Sequence, residues 1–121
     1  MKLRFKTVLA ALGMAVAVPA TAFADLSKIE TRQEIVQTIK GKHLTLFAIK
    51  QNVSPEGQIA GRAYGRDVKG QWQWQNGYFC RDLYWGKMDL GPNCQEVRVS
   101  GDTIRFTSDR GTGRYADLRL R

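Results

Sequence analysis

The sequence predicts a mainly β domain: a small antiparallel meander that curls into a barrel-like sheet, with one N-terminal α-helix and one disulfide. Three observations lead to this prediction. A hydroxyl and a carboxylate three residues apart begin one short apolar stretch of helical period, from Thr31. The strict alternation of Gln71–Gln75 precedes Asn76-Gly77, a strong hairpin signal. Short β-forming segments joined by turn residues fill the rest of the chain.

The first 24 residues have the pattern of a secretory signal peptide. Three basic residues lie within the first six positions, an apolar stretch runs from Val8 to Val18, and Ala22-Phe23-Ala24 is an A-x-A cleavage site. Cleavage after Ala24 leaves residues 25–121, which we expect to form a single disulfide-clipped β domain, periplasmic or secreted. This domain has 16 basic and 11 acidic residues, so the net charge falls from +8 to +5.

Cys80 and Cys94 are the only cysteines, and an oxidising compartment favours a disulfide between them. The bond would close a loop of about 15 residues, which the chain-entropy model values at about 3 kcal/mol. Two cysteines and one histidine cannot supply the four ligands of a structural zinc site, so we expect no metal.

The predicted helix begins at Thr31, where Glu34 completes a capping box. An apolar stripe at helical spacing follows as far as Ile39, and Gly41 can take the left-handed conformation that ends a helix. A helix of about ten residues needs a surface to pack on.

Seven short strands are predicted after the helix. They are Lys42–Lys50, Gln58–Gly65, Gln71–Gln75, Tyr78–Trp85, Cys94–Val99, Thr103–Ser108 and Arg114–Leu120. Tight turns join most of them, and a longer loop is predicted at Gly86–Gly91, before Pro92.

The Asn76-Gly77 turn also predicts the register of its hairpin. A two-residue loop places Gln75 opposite Tyr78 and therefore Trp72 opposite Arg81. One face becomes the predicted core; it carries Trp72, Trp74, Phe79, Arg81, Leu83 and Trp85. Both cysteines fall on the opposite, outer face, which agrees with a disulfide between them.

Arg81 is the exception on this core face. Stacking on Trp72 would offset part of its desolvation, and a place near the barrel mouth would let it reach water along its stem. A cation among aromatic rings suits a carboxylate or another anion. The candidate ligand-binding residues are Trp72, Arg81, Tyr84 and Trp85.

No catalytic residues are predicted, and no cofactor. His43 is the only histidine, and Gly111–Ala116 matches a dinucleotide fingerprint but is followed by only five residues, which alternate as a strand. We expect a hairpin turn there. The arginines of the last third alternate with aspartates, which predicts a solvated mixed surface and no nucleic-acid partner. No uncharged apolar run reaches 20 residues, so we expect no stable membrane insertion.

Three segments resemble a known family. They are Gly70–Trp85 (GQWQWQNGYFCRDLYW), Gly91–Gln95 (GPNCQ) and Ile104–Gly113 (IRFTSDRGTG). Together they resemble small exported bacterial proteins of unestablished activity, some of which carry the automatic label dihydrodipicolinate reductase. The label implies nicotinamide-dependent reduction, whereas true reductases of that name are larger and contain a Rossmann domain, for which this chain shows no βαβ pattern.

Three functions remain open. The first is a monomeric, non-enzymatic module that binds a small anionic or aromatic ligand or an envelope protein. The second is an envelope inhibitor that presents loop 86–93, held by the disulfide. The third is an enzyme. A cavity behind Trp72 and Arg81 would favour ligand binding, and a filled interior would favour surface interaction.

Overall fold

The computed structural model describes residues 26–121, so the predicted signal peptide, residues 1–24, lies outside the described residues. The elements in chain order are β1 Ser27–Lys28, α1 Arg32–Ile39, β2 Leu44–Leu46, β3 Ile49–Val53, β4 Gln58–Ala63, β5 Arg66–Gln75, β6 Tyr78–Trp85, β7 Met88–Ser100, β8 Thr103–Thr107, α2 Ser108–Gly111 and β9 Tyr115–Leu120. The predicted mainly β, antiparallel class is confirmed.

Strands β2 to β9 form a closed antiparallel barrel in which each strand pairs with its neighbours along the chain. The ring closes between β2 and β9, where Leu44 pairs with Leu120 and Thr45 with Arg119. The two residues of β1 add to β7 through Ser27. Closure of the ring leaves β2 to β9 without a long free edge.

The hairpin turns alternate between the two ends of the barrel. Helix α1 covers one end of the barrel, which we call the capped end. There Arg32 donates a hydrogen bond to the Pro55 carbonyl, and the Trp74 indole donates one to the Glu30 carbonyl. The turns β2–β3, β4–β5, β6–β7 and β8–β9 surround the opposite end, which we call the mouth. The fold therefore has one covered end and one open end.

Helix α1 begins with the predicted capping box. The Glu34 amide donates to the Thr31 hydroxyl at 3.1 Å, and the Thr31 amide donates to the Glu34 carboxylate at 3.1 Å. The helix has eight residues, and Ile35 and Ile39 are fully buried against the barrel core. An amphipathic helix this short depends on that burial for its stability.

The predicted hairpin register is confirmed at every pair. Trp72 lies opposite Arg81, and Gln75 lies opposite Tyr78. Cys80 and Cys94 are directly opposed on β6 and β7 and form the predicted disulfide. The inward aromatic rings build the core, since the Trp72 ring stacks on Phe79 with centroids 5.1 Å apart.

The prediction of one strand over Lys42–Lys50 is wrong. The chain turns at Phe47 and Ala48 and splits this segment into β2 and β3, so the barrel has eight strands and not seven. Ala48 takes the left-handed conformation with φ of 61°, without the glycine or asparagine that normally marks such a turn.

The prediction of a loop over residues 86–93 is also wrong. Gly86 and Lys87 form a two-residue turn, and β7 starts at Met88. Pro92 is accommodated because the register shifts beside it, which leaves Leu90 as an extra residue of a bulge. The structure therefore lacks the long loop through which an envelope inhibitor, the second predicted function, was expected to act.

Two further boundaries move. Strand β5 begins at Arg66, five residues before the predicted start, because Tyr64 and Gly65 form a two-residue turn with φ of 51° and 81°. The turn predicted at Asp109–Gly113 is present and begins one residue earlier; the short segment α2, Ser108–Gly111, is not a regular helix, because Asp109 and Arg110 are both left-handed.

We expect Ala48→Gly to raise the free energy of unfolding by about 0.5–1 kcal/mol. Glycine relieves the strain of the left-handed conformation, and this gain exceeds the cost of the greater conformational entropy that glycine gives the unfolded chain. Urea unfolding measures this change. Ala60→Gly, at an exposed position of β4, is the matched control and should destabilise by a similar amount. A destabilised Ala48→Gly variant would contradict the strain at this turn.

We expect the double variant Cys80→Ala, Cys94→Ala to lose about 3 kcal/mol of unfolding free energy, because a disulfide no longer restricts the conformations of the unfolded chain. The same loss should appear when the wild-type protein is unfolded under reducing conditions. A loss below about 1 kcal/mol in both experiments would show that the β6–β7 ladder is sufficient without the bond.

Candidate functional site

The interior of the barrel contains a cavity of about 150 Å³. Its lining residues come from seven of the eight barrel strands; they are Leu44, Gln51, Val53, Ile59, Phe79, Arg81, Leu83, Gln95, Phe106, Ala116 and Leu118. Leu44, Ile59 and Phe79 are buried walls, whereas Ala116 is exposed to solvent. The cavity is therefore mainly apolar and open to solvent.

Two inward-facing glycines help to leave this space. Gly61 pairs with Gln51 across β3 and β4, and Gly70 pairs with Leu83 across β5 and β6. A Cβ atom at Gly61 would overlap the Lys50 carbonyl oxygen, and one at Gly70 would overlap the Asp82 carbonyl oxygen. Because the strands approach this closely, both positions require glycine and contribute no side chain to the interior.

Arg81 places a cation in the cavity wall. Its Nη1 donates a hydrogen bond to the Gly91 carbonyl at 2.8 Å, and Gly91 lies two pairs nearer to the mouth than Asn93, the partner of Arg81. Burial lowers the pKa of the guanidinium, and the neighbouring Asp82 carboxylate partly offsets that effect. Within residues 26–121, no carboxylate lies within ion-pair distance of Arg81. The cation is therefore partly desolvated and unpaired.

Two amides add polar groups to the same cavity. Gln95 donates a long hydrogen bond of 3.4 Å to the Ser108 hydroxyl. The Gln51 side chain has no hydrogen-bond partner in the described part of the chain. Together with Arg81, these amides give an apolar cavity three polar groups that can orient a ligand.

The structure separates the four predicted ligand-binding residues. Arg81 lines the cavity from the middle of β6, and its side chain reaches Gly91 on the mouth side. Trp72 belongs to the core, where its indole donates to the Ser54 carbonyl at 2.8 Å. The guanidinium over the Trp72 ring is that of Arg32, 5.6 Å from the centroid, so the expected stack of Arg81 on Trp72 is absent from the described contacts.

Trp85 and Tyr84 lie outside the cavity. The Trp85 indole donates to the Ala63 carbonyl at 2.8 Å, and the Arg66 guanidinium covers its ring at 4.6 Å, beside the mouth. Tyr84 projects from the outer face and is 47% exposed. Neither contributes to the binding of a ligand inside the barrel.

Gln51 and Gln95 were missed by sequence reasoning, although signals for both exist. Gln51 alternates with Ile49 and Val53, so a correct boundary for β3 would have placed all three inward. The pairing of Cys80 with Cys94 places Gln95 opposite Phe79, on the core face. A glutamine at an inward position of a small barrel is informative because buried polar groups need partners.

A second depression, about 530 Å³ and open, crosses the outer face beside the disulfide. Its amides largely bond within the protein: Gln75 donates to Gln73 at 2.7 Å, and Asn93 donates to Asp109 at 2.9 Å. The groove also includes Gln71, Asp82 and Arg110, whose side chains have no hydrogen bond or ion pair among the described residues, and Trp72 and Arg81 lie along it as well.

The outward arginines of the last third form ion pairs with neighbouring carboxylates, as a mixed surface requires. The pairs are Arg98 with Glu96, Arg105 with Asp117, and Arg119 with Asp102. Arg105 and Asp117 are directly opposed and share two hydrogen bonds of 2.7 and 2.9 Å. That interaction lowers the pKa of Asp117, chiefly through the hydrogen bond from Arg105.

Among residues 26–121, no three potential ligands from His, Cys, Asp and Glu group closely enough to hold a metal ion. No helix of the described residues is long and apolar enough to cross a membrane. Gly111 and Gly113 lie in the β8–β9 connection, as the predicted hairpin turn requires, and Ala116 belongs to a strand. Comparisons with protein-family models, curated proteins and solved structures find no match to this chain.

We expect Asp117→Asn to lower the free energy of unfolding at pH 6 by no more than about 1 kcal/mol, since the pair is partly exposed. The pKa of Asp117 is lowered by folding, so its contribution is full above the unfolded pKa and disappears as the pH falls through the folded pKa. The difference between wild type and variant should therefore shrink as the pH falls below about 4, as urea unfolding over a series of pH values would measure. An unchanged difference would contradict this ion pair.

Proposed function

We propose that the protein is an exported, non-enzymatic barrel that binds a small carboxylate, with the apolar part of the ligand in the cavity and its anionic group at Arg81. The observation that carries this proposal is an unpaired, partly desolvated guanidinium on the wall of an otherwise apolar cavity. A bound carboxylate would supply the negative charge that no described residue places within ion-pair distance of Arg81.

The size of the cavity limits the ligand. A volume of about 150 Å³ is the size of cavity that holds one benzene ring in a protein core, and it is below the range of drug-sized pockets. A benzoate-sized acid or a short branched fatty acid fits this space. A longer ligand would extend out of the cavity into solvent.

The polar groups favour an acid over a neutral ligand. Arg81 offers donors only, and Gln51 adds a free amide that can donate to the second carboxylate oxygen. Leu44, Ile59 and Phe79 can contact only the apolar part of the ligand. The cavity therefore suits a molecule with one anionic end.

Export is part of the proposal. The N-terminal 24 residues match a signal peptide in charge, apolar length and cleavage site. The Cys80–Cys94 disulfide supports an oxidising compartment, in which such bonds persist.

Isothermal titration calorimetry of the purified, oxidised protein with benzoate and with neutral benzamide tests the proposal. We expect benzoate to bind at least tenfold more tightly than benzamide. Arg81→Met should weaken benzoate binding about 10–100-fold, because hydrogen bonds to charged groups contribute about 1.5–3 kcal/mol. Arg114→Met, at an exposed position without an ion pair among the described residues, is the matched control and should bind as wild type does.

Stability provides a second readout. Without ligand, Arg81→Met should unfold within about 1 kcal/mol of wild type or be more stable, because an uncompensated buried cation is replaced by an apolar side chain. A folded Arg81→Met variant that binds benzoate normally would overturn the proposal. So would equal binding of benzoate and benzamide, or no binding of either benzoate or a series of acids from acetate to octanoate.

A further inference from the structure

The exposed large hydrophobic side chains of the described residues all lie in the half of the barrel around the mouth. They are Leu46, Phe47, Tyr64, Tyr84, Met88, Leu90 and Tyr115. Phe47 is 85% exposed and Tyr64 is 61% exposed, and both lie in turns at the rim. No large hydrophobic side chain of residues 26–121 is exposed at the capped end. A one-sided apolar rim of this kind marks an interaction surface.

Cations accompany this rim. Between the β4–β5 and β6–β7 turns lies an open depression lined by Arg62, Gly65, Arg66, Asp67, Lys69, Gly86 and Lys87. Asp67 is its single carboxylate and pairs with Arg62 at 2.6 Å. Arg66, Lys69 and Lys87 have no ion-pair partner in the described residues. The depression is therefore positively charged and suits a phosphate group.

Backbone hydrogen bonds hold three of the four mouth turns together. The Tyr64 amide donates to the Ala48 carbonyl at 2.9 Å, which joins the β2–β3 and β4–β5 turns. The Gly86 amide donates to the Asp67 carbonyl at 2.7 Å, which joins the β4–β5 and β6–β7 turns. The apolar tips and the cationic depression therefore form one fixed surface.

We propose that the mouth docks peripherally on the surface of an anionic phospholipid bilayer. Phe47, Tyr64 and Met88 would enter the boundary between headgroups and acyl chains, and Arg66 and Lys87 would contact lipid phosphates. Turn tips around one end of a barrel can touch a flat surface together, and amphipathic aromatic rings with adjacent cations suit the interface. A bilayer meets both the apolar and the cationic parts of the rim, so it is favoured over an acidic protein.

This docking does not depend on a ligand in the cavity. The expected binding is reversible, since short turns can reach only the interfacial layer.

Co-sedimentation with vesicles of phosphatidylcholine alone and with 30% phosphatidylglycerol tests the proposal. We expect binding to the anionic vesicles and at least tenfold weaker binding to the neutral ones. Each basic residue near an anionic surface contributes about fivefold to binding. Lys87→Gln should therefore weaken binding about fivefold, and the double variant Arg66→Gln, Lys87→Gln should weaken it about 25-fold. Phe47→Ser should weaken it at least tenfold by removing the apolar contact.

The matched control is Lys40→Gln with Lys42→Gln, which removes two exposed cations beside the capped end. It should leave vesicle binding within about twofold of wild type. Equal losses in the control and the mouth variants would overturn the proposal by showing that net charge alone drives binding. Absence of wild-type binding to anionic vesicles, or no effect of Phe47→Ser, would overturn it as well. Because these variants leave Arg81 intact, benzoate binding can fail or succeed independently.

Discussion

The pairing of β2 with β9 is the interaction on which the rest of the structure depends. The His43 amide donates to the Arg121 carbonyl, and the Arg121 amide donates back to the His43 carbonyl, each at 2.9 Å. These residues are the two ends of the barrel segment, so closure requires the whole meander to be in register. Once the ring closes, the inward side chains of all eight strands face one another. Core, cavity and mouth are consequences of that closure.

Closure also explains the unequal filling of the interior. Trp72, Phe79 and Phe106 fill the region towards the capped end, and α1 adds two buried isoleucines there. Elsewhere Gly61 and Gly70 are fixed by the close approach of backbones and cannot fill space. Arg81 lies at the boundary of the two regions. An apolar residue of similar length, such as methionine, would avoid the desolvation of the guanidinium, which is the basis of the expected stability of Arg81→Met.

Local signals predicted the features that depend on neighbours in sequence. Asn76-Gly77 determined the register that placed Arg81 on the inner face and the cysteines on the outer one, and Thr31 with Glu34 marked the start of the helix. Features that depend on tertiary contacts were not predictable. Ala48 carries no turn signal, and its left-handed conformation is maintained by β2–β3 pairing and by the Tyr64 amide. The cavity itself follows from the packing of seven strands, which no single segment encodes.

The distribution of backbone strain separates the two ends of the barrel. Asn76 is the one left-handed residue other than glycine at the capped end within residues 26–121, and asparagine tolerates that conformation well. Ala48, Tyr64, Asp109 and Arg110 are left-handed at the mouth. Aspartate tolerates this conformation as asparagine does, whereas Ala48, Tyr64 and Arg110 each cost roughly 1–2 kcal/mol more than glycine would. Glycines with positive φ occur at both ends, with Gly57 and Gly101 in capped-end turns and Gly65 and Gly86 in mouth turns. Tyr64 occupies a left-handed turn position although its ring is exposed. Contacts of the ring within the protein therefore do not compensate for the strain of the turn. A side chain that strains the turn and exposes apolar surface is what the proposed docking of the mouth on a bilayer requires.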